Sequence, residues 1–163
     1  MLLVAGTAGA MAGVPFSAIS VDARTGAVLF SVDPDGSRHP ASLTKMMTLY
    51  LLFQDLKAGK VKLSTKLTVS ARAANMAPSK LGLKPGSTIA VEDAIKALVT
   101  KSANDVACAI GENLGGTETA FAARMTKTAR AIGMSRTTFK NASGLPNPAQ
   151  VTTARDMATL GLR

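Results

Sequence analysis

Apolar residues recur at helical spacing in three stretches of this chain. Leu43, Met46, Met47, Tyr50 and Leu51 fall at i, i+3, i+4, i+7 and i+8. Val91, Ala94, Ile95, Leu98 and Val99 repeat the spacing, and Phe121, Met125, Ala129 and Ile132 form a third stripe. Each stripe predicts a helix with one face to bury, so the middle of the chain has to be a cluster of helices. Only 4% of the residues are aromatic and none is Trp, so Leu, Val, Ile, Met and Ala must fill the core. A length of 163 residues fits a single domain.

Punctuation divides the stripes. Ser17–Val21 and Ala27–Ser31 are β-rich runs joined by Asp22-Ala23-Arg24-Thr25-Gly26, which predicts a hairpin in front of the helices. Asp33-Pro34-Asp35-Gly36 reads as a turn, and Lys66–Val69 as a short strand. Gly59 ends the first helix, Gly115-Gly116 stops a further helix read over Asp105–Leu114, and Gly133 ends the Phe121–Ile132 helix. Thr117 and Thr153 are placed to cap the helices that follow them. Asn141–Pro148 is a Gly/Pro/Asn loop.

The formal charge is +9, which raises a polyanion partner as one reading and a plain basic domain as the other. Lys57, Lys60, Lys62 and Lys66 are the densest basic group. Only Tyr50 and Phe53 lie near them in sequence, which is poor material for stacking bases, so no nucleic-acid partner is expected. The single Cys108 excludes an internal disulfide and falls on an apolar helix face. One His and ten scattered carboxylates predict no metal and no cofactor. Residues 1–19 carry no charge and are rich in Ala and Gly, which reads as the apolar core of an export signal lacking its basic start.

Two segments carry reactive side chains. Ser42-Leu43-Thr44-Lys45 opens the first helix. Side chains three apart share a helix face, so a Ser hydroxyl and a Lys amine can meet there. The helix N-terminus favours a developing oxyanion, and an apolar surround lowers a lysine's pKa enough to make it a base. Alone, the pattern reads more readily as a capping Ser and a solvated Lys. Lys101-Ser102-Ala103-Asn104 breaks two apolar helical stretches and turns a hydroxyl and an amide toward a cleft, or else caps the next helix.

Together the two segments are more specific. Ser-x-x-Lys is paired with a Ser-x-Asn element and a Lys-Thr-Gly element in penicillin-binding proteins and class A β-lactamases. Pro40-Ala41-Ser42-Leu43-Thr44-Lys45-Met46-Met47-Thr48 resembles the active-site segment of the D-alanyl-D-alanine carboxypeptidases, the low-molecular-mass penicillin-binding proteins. Val21–Gly26, Leu83–Gly86, Ser102–Asp105, Asn141–Pro146 and Thr152–Asp156 resemble that family in the same order, from about Ser17 to the last residue.

The resemblance implies an α+β, β-lactamase/transpeptidase-like fold: a helical cluster and an N-terminal β-hairpin, with the C-terminal sheet strands missing from this chain. Residues 1–16 would be a leader remnant and 17–163 the N-terminal part of the catalytic domain. Ser42 would be the nucleophile, Lys45 its base, Ser102 a proton relay and Asn104 a substrate-amide contact. The implied partners are peptidoglycan stem peptides ending in D-Ala-D-Ala, with β-lactams as covalent inhibitors. The implied location is exported, in the bacterial periplasm or on the outer face of the cytoplasmic membrane.

One departure stands out. The chain carries no Lys-Thr-Gly or His-Thr-Gly after the Thr152–Asp156 segment. Lys127-Thr128-Ala129 reads as helix interior and Arg24-Thr25-Gly26 as the hairpin turn. The expectation is therefore a weak or inactive chain on its own, the alternative being a non-catalytic relative that binds the same peptides or β-lactams. No Glu follows Glu118, which counts against a class A β-lactamase.

Overall fold

The computed structural model describes residues 16–163. Most of the leader expectation therefore lies outside the described residues. The element order is β1 (Ala18–Val21), β2 (Val28–Val32), a 3₁₀ turn (Ala41–Leu43), α1 (Thr44–Lys57), β3 (Lys66–Thr68), α2 (Ala71–Ala74), β4 (Thr88–Ala90), α3 (Val91–Lys101), α4 (Asn104–Gly115), α5 (Glu118–Ala131) and α6 (Ala154–Gly161).

The helix α4 sits at the centre because its sequence lets it. Asn104 to Gly111 are eight consecutive buried residues, so this helix is covered on every side. Ala107, Cys108, Ala109 and Gly111 are small, which allows neighbours to come close; a Cβ on Gly111 would already press on Ala142, Phe121 and Glu118 at 3.2 to 3.4 Å. One side of α4 joins Met47 and Leu51 of α1, Leu98 of α3 and Phe121 and Met125 of α5 in the main core. The other side packs Cys108 and Ala109 against Val69, Ala73 and Ala74.

The two small sheets are separate antiparallel pairs, β1 with β2 and β3 with β4. In the first, Ala18 faces Val32 and Ser20 faces Phe30, with the register shifting between Ser20 and Val21. The Asp22 carboxylate holds the connection by accepting from the Thr25 N–H at 2.7 Å and the Arg24 N–H at 3.0 Å. β1 packs on α6, whereas β2 is exposed along its whole length, Leu29 to 67%. Burying a Leu or Phe side chain contributes about 1.5–3 kcal/mol, so Leu29 and Phe30 leave much of that stabilisation unrealised.

Capping follows the sequence. Thr117 Oγ1 accepts from the Ala120 N–H and Thr153 Oγ1 from the Asp156 N–H, both at about one turn's reach. Asp156 does not pair with its neighbour Arg155: its carboxylate takes Thr137 Oγ1 at 2.6 Å and the Arg136 N–H at 2.9 Å, while Arg155 crosses to Asp35 at 2.8 Å. These contacts clamp α6 to the hairpin exit and to the strand-like segment before the Asn141–Pro148 loop.

Candidate active site

Pro40 is buried and Ala41 adopts φ +45°, a left-handed conformation that costs an alanine about 1–2 kcal/mol. The chain then turns through the 3₁₀ segment, with the Leu43 N–H donating to the Pro40 carbonyl at 3.1 Å. Ser42 therefore stands in this tight turn just ahead of α1, and the α-helix itself starts at Thr44. The Ser42 residue is exposed, and no acidic residue occupies the first turn of α1 to oppose a developing negative charge.

Lys45, one turn further, is 4% exposed. Its Nζ donates to Asn104 Oδ1 at 2.7 Å and to the Ser143 carbonyl at 2.6 Å. Among the described residues no carboxylate pairs with it. Desolvation acts unopposed and lowers the amine from 10.5 to about 8. A neutral amine has two N–H donors and one lone pair. Both donors have carbonyl-type acceptors here, so the lone pair is what remains for an incoming proton.

Ser102 ends α3 in the left-handed conformation, φ +54°, and α4 starts two residues later. The predicted break is real, and Ser102 is the C-cap of α3, but neither Ser102 nor Asn104 is the N-cap of α4: Ala103 holds that position without a side-chain hydrogen bond. Asn104 instead spans the seam, its Oδ1 on Lys45 and its Nδ2 donating to the Ala77 carbonyl at 2.9 Å. Its backbone N–H donates to the Ser79 carbonyl at 2.7 Å.

Of the four predicted residues, Lys45 and Asn104 are in direct contact where α1 abuts the α3–α4 break, while Ser42 stands in the turn ahead of Lys45 and Ser102 at the end of α3. A cavity of about 290 Å³ lies against Ala41, the residue before Ser42, and is lined also by His39, Gly144, Pro146 and Gln150. His39 accompanies it from the loop, its Nδ1 2.8 Å from the Gln150 carbonyl. Cys108 is fully buried, and burial pushes its thiol up to about 12, which makes it inert core.

Other residues here escaped the sequence reading. Ser143 contributes a backbone oxygen, which no residue-type pattern reports. Asp105 is fully buried and accepts from the Leu81, Gly82 and Leu83 N–H groups at 2.9 to 3.2 Å, tying their segment to α4 beside Asn104. Thr48, on the Lys45 face of α1, donates to the Ala142 carbonyl at 2.7 Å. The Ser-x-Asn-Asp tetrad held the only signal for Asp105, and the i+3 spacing from Lys45 the only one for Thr48.

A family model described as D-alanyl-D-alanine carboxypeptidase matches residues 10–163. The chain belongs to that family. Among curated carboxypeptidases, it is 36% identical over 144 residues to the D-alanyl-D-alanine carboxypeptidase DacF of Bacillus subtilis, covering 88% of this chain and 37% of the relative. Among solved structures, the D-alanyl-D-alanine carboxypeptidase DacD from Francisella tularensis superposes with a TM-score of 0.87 at 40% identity, over 90% of this chain and 35% of that one. Penicillin binding protein 5 from Haemophilus influenzae gives 0.85 at 33% identity, over 90% and 43%. The chain spans well under half the length of these carboxypeptidase relatives. The superpositions bear out the α+β penicillin-binding-protein fold with its N-terminal hairpin and helical core.

Proposed function

We propose that this chain carries the nucleophile-bearing part, residues 17–163, of a serine-type D-Ala-D-Ala carboxypeptidase. The observation that supports it most directly is the Lys45 amine: buried, free of any carboxylate, lowered to about 8, with both neutral-form donors occupied. Such an amine is a base poised near neutral pH.

Lys45 takes the Ser42 proton as Ser42 Oγ bonds to the carbonyl carbon between the two D-alanines of a peptidoglycan stem peptide. The tetrahedral oxyanion develops beside the unopposed N-terminus of α1. It collapses as the C–N bond breaks, and the leaving D-alanine nitrogen regains a proton from the Lys45 ammonium through Ser102. Water then hydrolyses the Ser42 ester. The second N–H of the Asn104 amide, the one not given to Ala77, is the contact for a substrate carbonyl. A β-lactam follows the first half of this course, its ring C–N bond breaking as Ser42 acylates. Such a substrate is consistent with a protein outside the cytoplasm, in the periplasm or on the outer face of the cytoplasmic membrane; among the described residues no helix is long and apolar enough to cross a membrane.

Removing one oxyanion donor costs on the order of 10²–10³ in rate in other serine hydrolases, so acylation without a Lys-Thr-Gly element is expected to be slow. The test is labelling of the purified protein with a tagged penicillin, followed by peptide mass mapping. An adduct on Ser42 that disappears in Ser42→Ala supports the reading. Binding of a D-Ala-D-Ala peptide with no adduct, in this chain and in a longer one, would replace it with the non-catalytic alternative.

A further inference from the structure

The Ser143 carbonyl that receives Lys45 belongs to a peptide segment gripped from two sides. On one side Thr48 Oγ1, one turn along α1 from Lys45, donates to the Ala142 carbonyl at 2.7 Å. On the other, Glu118 at the start of α5 accepts the Ala142 N–H on Oε1 at 2.9 Å. Glu118 is 5% exposed, and a buried carboxylate is retained at such a place only when its charge is matched. Arg72 of α2 matches it, through a hydrogen-bonded pair to Oε2. Arg72 Nη1 also reaches Glu112 at 3.5 Å and Cys108 Sγ at 3.0 Å, so it is itself held against α4.

A loop carbonyl in a Gly/Pro/Asn segment has no ladder to fix it. Here the backbone N–H and C=O of Ala142 are used by side chains of two different helices, and the next carbonyl along is the Lys45 acceptor. We propose that Glu118, acting with Thr48 through the Ala142 peptide, is a positioning residue for the Lys45 amine. It holds the Ser143 carbonyl on that amine and keeps the wall beside it closed to water. The inference rests on reading Lys45 as the proton acceptor.

Glu118 is faced by Arg72 from α2 and by Cys108 and Glu112 from α4. Lys45 is faced by the Asn104 amide from α4 and by the Ser143 carbonyl. A cavity of about 560 Å³, lined by Arg72, Glu112, Asn113, Thr117 and Glu118, lies on the outer side of the clamp. Truncating Glu118 opens a route from it toward the Ala142 peptide, and hydration reverses a shift caused by desolvation.

The experiment is an NMR titration of the lysine side chains in the 163-residue protein, with Lys45 assigned by its loss in Lys45→Arg. In Glu118→Ala the Lys45 midpoint is expected to rise from about 8 by about one pH unit toward the ordinary lysine value. Glu118→Gln keeps an oxygen for the Ala142 N–H and is expected to hold the midpoint within about 0.3 unit of the parent. Thr48→Val, which removes the other grip without altering charge, is expected to move it in the same direction as Glu118→Ala. Unchanged midpoints in both Glu118→Ala and Thr48→Val overturn the proposal, because a merely structural residue lowers the melting temperature and leaves Lys45 alone. A Glu118→Gln shift as large as that of Glu118→Ala also overturns it, since charge and not the hydrogen bond would then be at work. If Glu118→Ala does not fold, the Thr48→Val titration decides. The titration reads the amine whether or not Ser42 acylates, so a missing penicillin adduct counts against the proposed function and not against this clamp.

Discussion

Lys45 Nζ donates to Asn104 Oδ1 across 2.7 Å, joining the head of α1 to the first residue of α4. The acceptor is neutral, and that matters. A carboxylate at the same place would stabilise the ammonium and remove the base. Asn104→Asp is nearly isosteric and makes that change. An opposite charge within about 4 Å of a titrating group shifts it by roughly 1–3 units, here upward for Lys45. Penicillin acylation at pH 7 is expected to fall about tenfold or more, with the pH–rate midpoint displaced to higher pH. A midpoint unchanged in Asn104→Asp would mean that Lys45 is not the titrating base.

The same amine sets the pH dependence of the parent. A base with a midpoint near 8 makes log acylation rate rise with unit slope below that pH and flatten above it. Stability carries the matching signature. The folded-state pKa is depressed, so between about 8 and 10.5 the unfolded chain binds more protons than the folded one, and stability rises with pH across that window. Below 8 the whole penalty of burying the ammonium is present. Relative to Lys45→Met, the parent should gain on the order of 3 kcal/mol between pH 8 and 10.5. Denaturant melts of both proteins across the window check it. Parallel curves would show that the amine is hydrated.

Gly144 sets how closely the loop approaches the nucleophile turn. It has φ +88°, and a Cβ there would collide with the carbonyl of Ala41, the residue before Ser42. Gly133 also has a positive φ, +97°, but open space around it. Gly133→Ala is therefore expected to cost only the backbone strain, about 1–2 kcal/mol. Gly144→Ala adds the collision, so a loss of about 3 kcal/mol is expected together with slower Ser42 acylation. Thermal melts and penicillin labelling of the two variants separate strain from displacement. Equal losses in both would show that Ala41 moves aside freely.

The longer helices and the hairpin were legible because their signals are local: a 3.6-residue stripe around Met47 and Leu51, a capping Thr117, a Gly-bearing turn at Gly26; the four-residue α2 is too short to show a stripe. Nor was the pairing of β3 with β4 legible. Thr88–Ala90 is three residues long, too short to show an alternation, and its partner lies about twenty residues earlier. The site divides in the same way. Ser42, Lys45, Ser102 and Asn104 were visible as residue types at fixed spacing. The Ser143 carbonyl, the Glu118 carboxylate behind it and the loop-binding Asp105 act across sequence separations of 98, 24 and about 23 residues. No periodicity spans those distances, and a backbone oxygen has no residue identity to read.

A last relationship concerns how α1 is anchored at its far end. Asp55 is 3% exposed, and both its oxygens accept from Arg124 of α5, at 2.6 and 2.7 Å. Burial by itself would raise this carboxyl, but the hydrogen bonds and charge of Arg124, together with Lys60 at 3.5 Å, outweigh it and hold the group below its ordinary value. The pair's contribution is therefore present at neutral pH and lost as pH falls through the acid range. Arg124→Met strands the carboxylate in the interior, which costs about 3–5 kcal/mol when one partner of a buried pair is removed. The sign of the pH dependence should then reverse. With burial opposed only by the exposed Lys60, Asp55 is expected to be raised, and the variant recovers part of its loss as acid protonates the group. Melts of the parent and Arg124→Met at pH 7 and near pH 5 test this, the expected gap being smaller at pH 5. A gap that stays constant would mean that water reaches Asp55 once Arg124 is gone.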